Sequence, residues 1–509
     1  MRAAGLALGF MLWGVAAQAL TPDGVWAGWQ SSLADLGVRL EAGGTAHDSG
    51  RLVLTDVTLR PIAVLDAGHV VAHLSALTLT PAAAGTVVVE PGAELRITAG
   101  SKGDDVALLV TQDGLSVTLS DAGGLRYDFA ATALHLGLTV ASDAGFAADM
   151  GVEPPSATLR GQAELTGLAG SWTDVTGAVR DLDARLMLDQ LHYDGLREDP
   201  KTHLSAQFKG SKDRLRYDLH LSLPLNAPLP SLSGAVSPAQ VAATLARALT
   251  AGLQGELQAA AGASSFESST GARGTVVESV VETRPSTGSI GFDRAGFHAN
   301  SETDGMTMRL HGPNLPVQQV VLGMGKLAFR ISGPLVGDAA QAFGFKLTVA
   351  DLVAAAPLWQ ALDPGSVLPR DPASLAIDIG GTARLDLLGL LAAQGGGMNE
   401  VAKPSIESLE VRELALSGLG AALAGKGAFT FDNRSAVPVP VGTGEVTVDG
   451  VNGVLDGLVQ LDLISGVAAR NARLAMALVF DKGDGADRQV SRLEARADGS
   501  VYVNGVRMK

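Results

Sequence analysis

Along Arg51-Leu52-Val53-Leu54-Thr55-Asp56-Val57-Thr58-Leu59-Arg60, apolar and polar residues alternate as on a half-buried β-strand, but the alternation changes phase once. Leu52 and Leu54 have one parity and Val57 and Leu59 the other, so a regular strand would send the two pairs to opposite faces. Two geometries resolve this. A bulge or bend at Thr55-Asp56 re-aims the second pair onto the first pair's face and curls the sheet, or two short strands meet at a corner and serve two sheets. The spacing returns at Leu186, Leu188, Leu191 and Tyr193 around Asp189-Gln190, and at Leu409, Val411, Leu414 and Leu416 around Arg412-Glu413. Either the chain reuses a building unit, or short strands resemble one another.

The remaining pattern predicts elements around these strands. Thr21-Pro22-Asp23 opens a helix with Thr21 or Asp23 as cap and a stripe of Trp26, Trp29, Leu33 and Leu36, ended by Gly37. Short alternating runs follow from Val38 to Val140, separated by turns such as Pro91-Gly92, Asp113-Gly114 and Gly123-Gly124. That cadence predicts an antiparallel meander. A second set runs from Ala157 to Leu223 and stops at Pro224, Pro228 and Pro230. Ser237, Pro238 and Gln240 start a central helix striped by Val241, Leu245, Leu249 and Leu253, and Ala259 to Gly274, small and polar, reads as a loop or a mobile segment. Beyond it strands resume. Helices are expected at Asp351 to Leu362, Leu385 to Ala393 and Val454 to Leu463, a strand at Leu474 to Phe480, and a terminal hairpin turning at Asn504-Gly505. The predicted fold class is mainly β (α+β): two large antiparallel, curled β-rich halves, 20–235 and 263–509, with a few covering helices and a central helix and linker at 236–262.

The first residues add an address. Met1-Arg2, the apolar run Ala3 to Val15 and Ala17-Gln18-Ala19 fit a cleavable signal peptide at 1–19, with a retained anchor as the alternative. The mature chain is then expected to be soluble and periplasmic, with no transmembrane segment. Cysteine is absent, which excludes disulfides, thiolate metal sites and cysteine catalysis. Aromatics make up 4% of a chain that is 46% apolar, so the interior must be Leu, Val and Ala; 63 glycines imply many turns and close backbone approaches. A net charge of −15 argues against nucleic acid and against attraction to an anionic membrane surface.

Candidate chemistry is sparse. Gly420-Ala-Ala-Leu-Ala-Gly425-Lys426-Gly427 nearly spells a phosphate-binding loop, but Gly427 stands where the Mg²⁺-holding hydroxyl belongs and no helix follows. His69 and His73 lie four apart on an expected strand, roughly 13 Å from one another, too far to share an ion. Asp481, Asp484 and Asp487 miss the spacing of a calcium loop and fit a solvated hairpin loop. Asp181 and Asp183 are paired carboxylates among 53 acidic residues. Trp359, Asp363-Pro364 and Leu368-Pro369-Arg370-Asp371-Pro372 suggest a fixed corner, with Arg370 paired to an aspartate, or a binding loop. No catalytic, cofactor-binding or metal residue is assigned, no cofactor is expected, and the chain is read as not an enzyme.

The Trp359 to Pro372 stretch, Ile377-Asp378-Ile379-Gly380-Gly381, the terminal Val503-Asn504-Gly505 and the length resemble an uncharacterised exported alphaproteobacterial family known as a domain of unknown function. The recurring strand unit is similar to AsmA-like envelope proteins. That resemblance implies long β-sheets curled into an apolar groove and a part in lipid traffic, although such proteins usually keep an N-terminal anchor. The expected function is noncatalytic binding or transfer of lipid or acyl chains. The alternative is an envelope scaffold or assembly factor that binds proteins through strand edges. A hydrolase ranks third.

Overall fold

The computed structural model describes residues 20–35, 37–61, 68–101, 104–121, 123–142, 157–199, 202–227, 238–272, 275–337, 339–393, 404–434, 437–485 and 487–509. The signal segment, Leu36, Ser237 and Gly395 to Gly397 lie outside these residues. By contact the chain divides into two units, 1–236 with 247–280 and 237–246 with 281–509. Both are mainly β, with antiparallel strands and a few helices, as the alternation predicts.

In the first unit, helix α1 (Pro22–Asp35) precedes β1 (Val38–Asp48), β2 (Arg51–Pro61), β3 (Gly68–Pro81), β4 (Val87–Pro91), β5 (Glu94–Ser101), β6 (Asp104–Asp113) and β7 (Ser116–Asp121). The long strands β8 (Leu125–Ser142), β9 (Ala157–Thr176), β10 (Val179–Asp199) and β11 (Leu204–Pro224) follow. Helix α2 (Pro238–Thr250), of which 238–246 falls to the second unit, comes next, then β12 (Gln254–Ala261), β13 (Ser264–Ala272) and β14 (Thr275–Thr283), whose last three residues belong to the second unit. The segment Ala259 to Gly274, expected as a loop, is thus largely strand. Its Ala, Ser and Thr side chains hide the alternation, but β12 and β13 both find ladder partners on β11. That pairing agrees with the place of 247–280 in the first unit.

The four apolar residues of the opening run all face one interior. Leu52, Leu54, Val57 and Leu59 are 1%, 0%, 0% and 3% exposed and belong to one core. Strand β2 does not end at the joint; Asp56 takes a left-handed φ of 52°, which inverts parity in one residue. Pairing with β1 and β3 keeps the same register on both sides of it. Strand β3 switches too, burying Ala72 and Leu74 below the joint and Leu77 and Leu79 above it.

This crease crosses the whole first unit. On the next two lanes the chain breaks there. Strands β4 and β5 flank Gly92-Ala93, where Gly92 N–H donates to Ala76 O at 2.7 Å, and β6 and β7 flank Gly114-Leu115. Gly167 on β9 has φ 63° and lies under the Asp189 carboxylate of β10, where a Cβ would collide. Arg214 on β11 has φ 49°, and Gly262 N–H between β12 and β13 donates to Asp213 O at 2.6 Å. The second copy of the spacing, at 186–193, is therefore a later crossing of the same crease. Buried residues from β1 (Leu40) to β10 (Leu182) belong to one connected core that also takes in Val25, Trp29 and Leu33 of α1.

Helix α1 is held as its sequence predicts: Thr21 Oγ1 accepts the Gly24 N–H at 3.1 Å, and Val25, Trp29 and Leu33 are buried. Trp29 Nε1 donates to the Tyr127 hydroxyl of β8 at 3.1 Å.

The second unit contains β15 (Ser286–Asp293), β16 (Gly296–Thr303), β17 (Met306–His311), β18 (Gln319–Met324), β19 (Lys326–Gly333) and β20 (Gln341–Ala354). Then come α3 (Ala356–Leu362), β21 (Ala373–Arg384), α4 (Leu387–Ala393), β22 (Ser405–Gly418), β23 (Ala421–Asp432) and β24 (Val439–Asp449). Helices α5 (Val451–Gln460) and α6 (Gly466–Val479) and strands β25 (Asp481–Lys482), β26 (Arg488–Ala495), β27 (Val501–Val503) and β28 (Val506–Arg507) complete it. Asp351 to Leu362 is not one helix. β20 continues to Ala354, because β18 and β21 supply ladder partners there, and α3 starts only at Ala356, with Pro357 in its first turn. Leu474 to Phe480, expected as a strand, lies mostly in α6. The run Leu-Ala-Met-Ala-Leu satisfies both periods, and the Ser465 cap, accepting from Ala468 N–H at 3.1 Å, favours the helix. The third copy of the spacing crosses a register shift between Val411 and Leu414. At the C-terminus, Asn504 and Gly505 take φ 49° and 78°, the turn the sequence predicts.

If the crease depends on the left-handed residue in β2, Asp56→Val should destabilise the first unit by about 2 kcal/mol, because a β-branched residue resists φ > 0. Asp56→Gly should stay within about 0.5 kcal/mol of wild type. Denaturant titration reads both; equal losses would show that side-chain contacts, not backbone conformation, set the crease.

Candidate functional site

Because every lane of the first unit switches parity at the crease, one face stays apolar on both sides of it. Below the crease, register aligns Val57, Leu74, Leu95, Val110, Leu136 and Ala163 on β2, β3, β5, β6, β8 and β9. Above it, Val87, Leu119, Tyr127, Trp172, Ala184 and Leu219 align on β4, β7, β8, β9, β10 and β11. Directly opposed residues share a face, so these rows form one continuous surface. The other face carries charge. Asp218 accepts from Arg216 and Arg185, and those bonds hold its carboxyl below the usual range.

Helix α1 covers part of this surface. Beside it, Trp29, Tyr127, Leu74, Leu77, Val89 and Leu115 line an apolar cavity of about 130 Å³. Beyond the cavity the surface continues as a second cluster of Ala131, Leu168, Leu188 and Leu215, edged by the half-buried Leu134, Leu165 and Leu191. Trp172 Nε1 is buried on this face without an acceptor among the described residues.

The second unit has its own apolar face, and it is more open. Ile290, Ala299, Ile331, Phe345, Ile379 and Val411 align across β15, β16, β19, β20, β21 and β22. Phe329, Leu347, Ile377 and Leu414 form the row beside them. Ile290, Phe329, Ile331, Phe345 and Leu416 are 38–55% exposed, too much for packed core. Charge is again confined to the reverse face. Burial pushes the Asp378 carboxyl up, but hydrogen bonds from Arg412 and Lys346 outweigh this and hold it below the usual range.

One constellation looks catalytic. Asp183 Oδ1 lies 2.8 Å from His220 Nδ1, and His220 Nε2 lies 3.2 Å from Ser222 Oγ. This repeats the order of an acid, base and hydroxyl triad. Its proton is misdirected, however: Ser222 Oγ donates to Asp181 Oδ1 at 2.6 Å, and Ser222 is only 4% exposed. The four residues are directly opposed on β10 and β11 and act as a polar clasp between those strands. The carboxylate pair singled out in the sequence thus meets partners that sequence spacing does not reveal.

The remaining candidates take structural places. The loop-like Gly420 to Gly427 is a tight turn at Leu419-Gly420, φ 56° and 77°, leading into β23, and Lys426 sits mid-strand opposite Glu445. His69 and His73 lie on β3, with His73 Nε2 3.5 Å from Asp56. Asp487 accepts from the backbone N–H of Asn452 at 2.9 Å, at the start of α5, while Asp481 is in β25. No group of three or more His, Asp or Glu that could hold a metal ion occurs among the described residues. The Trp359 to Pro372 stretch is a fixed corner. Asp363 accepts from Val367 and Leu368 N–H at 2.8 and 2.9 Å. Arg370 donates to Asp363 O rather than to a carboxylate, and lies 5.7 Å over the Trp359 ring. No family model, curated protein or solved structure matches the chain.

Burial pushes the Asp363 carboxyl up, but the two backbone donors and Arg370 hold it below the usual range. Its contribution is therefore present above the ordinary carboxylate pKa and lost as pH falls through the depressed one. Asp363→Asn should lower thermal stability at pH 7 and flatten its decline from about pH 4 downward. Melting curves across that range check both; an unchanged acid limb would show that other carboxylates carry it.

Proposed function

We propose that this chain is a noncatalytic periplasmic envelope protein that binds or passes acyl-chain lipids along the apolar faces of its sheets. The observation that carries the reading is the row Ile290 to Val411, with its neighbours, exposed on one side of a sheet whose reverse side holds the ion pairs. An acyl chain laid on such a face gains about 0.8 kcal/mol for each methylene withdrawn from water. A chain with few aromatics and many aliphatic residues suits a flexible hydrocarbon better than a flat, rigid ligand. The AsmA-like resemblance points the same way. No described helix is long and apolar enough to cross a membrane, so contact with lipid falls to the sheets and to exposed side chains.

A second reading rests on β1, whose ladder is with β2 and whose other contacts include Leu40 O accepting from Gln30 Nε2 of α1 at 3.1 Å, leaving Gly44 to Asp48 as the stretch of edge a partner could reach. A scaffold would dock a partner's strand there. Crosslinking to one stoichiometric protein partner, with no lipid recovered, would favour it.

Protein purified from its own periplasm should release bound lipid on extraction and show the adduct in native mass spectra. Ile331→Asp with Phe345→Asp puts two carboxylates on the row and should reduce the recovered lipid at least about tenfold, since each buried charge is strongly penalised. Wild-type protein free of lipid, or a variant that retains it fully, contradicts the reading.

A further inference from the structure

The apolar face of the first unit is interrupted beside its second cluster by one charged residue. Lys212 is directly opposed to Leu191, which is opposed to Leu165, which is opposed to Leu134, which is opposed to Gln112. All five therefore point to the same side as the cluster of Leu168, Leu188 and Leu215. Lys212 is half-buried, and it makes no ion pair or hydrogen bond among the described residues. A half-buried ammonium beside leucines has lost part of its hydration without gaining a counterion.

From Lys212 the row leads straight to the cavity. Gln112 and Leu115 line that cavity together with Trp29 and Tyr127, and the Gln112 side chain is already bonded to Pro91 O and Leu115 N–H. Nothing polar on the row competes for a ligand between Lys212 and Gln112. The four lane spacings from β11 to β6 amount to roughly 19 Å, the reach of an extended acyl chain. The row thus has a cationic end, an aliphatic middle and an apolar end stopped by α1.

We propose that this row is a binding site for a single-chain amphiphile with an anionic headgroup, carboxylate or phosphate. The headgroup pairs with Lys212, and the tail lies across Leu191, Leu165 and Leu134 toward the cavity beside Trp29. The assignment rests on the acyl-chain reading above and adds a polarity, a fixed orientation and a headgroup charge. In a chain of net charge −15, only a local cation can select an anion. Arg197, farther along the same face of β10 and also without a partner among the described residues, is roughly 20 Å away along the strand and serves as the internal control.

The test compares palmitate, palmitoyl lysophosphatidate and hexadecanol, titrated onto the purified protein by calorimetry. Wild-type protein should bind at least one of the two anions about tenfold more tightly than hexadecanol, the worth of one charge-assisted bond. Lys212→Met should remove that preference while leaving hexadecanol unchanged, Lys212→Arg should keep it, and Arg197→Met should leave it intact. The anion that loses more affinity in Lys212→Met identifies the headgroup chemistry. Equal binding of anions and alcohol, or a preference that survives Lys212→Met and vanishes in Arg197→Met, overturns the headgroup assignment while the groove reading stands. Failure of all three probes to bind overturns both.

Discussion

Every lane of the first unit has to cross the crease without losing its hydrogen-bonded neighbours, and the rest of that unit depends on how this is done. A strand alternates its side chains strictly, so a bend made by an ordinary insertion in one lane would slip the register of the next. Here all lanes invert parity at the same level. Asp56, Gly167 and Arg214 do so with a positive φ, the β4/β5, β6/β7 and β12/β13 lanes do so at their breaks, and β3, β8 and β10 do so within a continuous strand. The pairing keeps one register above and below the crease from β1 to β3 and from the β6/β7 lane through β11 to β12 and β13, and steps by one residue on either side of the β4/β5 lane.

The consequence is a sheet with two chemically distinct sides. Leu54 and Val57 end on the same side although their sequence parities differ, and so do Leu188 and Leu191. The ion pairs of Asp218 with Arg185 and Arg216 fall on the reverse side. Helix α1 buries only the part of the apolar side that Trp29 can reach, anchored by its bond to Tyr127. In the second unit the equivalent separation leaves Phe329, Ile331 and Phe345 open. A chain that selects for solubility would be expected to cover such residues, which is why an acyl-chain ligand is the favoured reading.

The sequence carried the phase shift at Thr55-Asp56 in plain view, and with it the choice between a bend and a corner. It could not decide between them, since that depends on whether β1 and β3 keep their register across the joint. The loop expected at Ala259 to Gly274 failed for a similar reason: its small residues show no pattern, and only the long partner β11 makes strands of them. Lys212 looked like any surface lysine, because nothing in the chain announces that it stands opposite Leu191. The clasp of Asp181, Asp183, His220 and Ser222 joins residues about forty positions apart, and was legible only as a pair of carboxylates. Local features fared better. The Thr21 cap, the stop at Pro224 and the Asn504-Gly505 turn depend on neighbours in sequence, and all three hold.

The central claim, that a shared inversion keeps one apolar face across the crease, can be tested directly on β10. The chain has no native cysteine, so single cysteines can be placed in turn from Ala184 to Gly195 and spin-labelled. Accessibility to a water-soluble relaxation agent should be low at 184, 186, 188, 191 and 193 and high at 185, 187, 192 and 194, with the phase changing once at Asp189-Gln190. An alternation that runs unbroken through Asp189 would contradict the account.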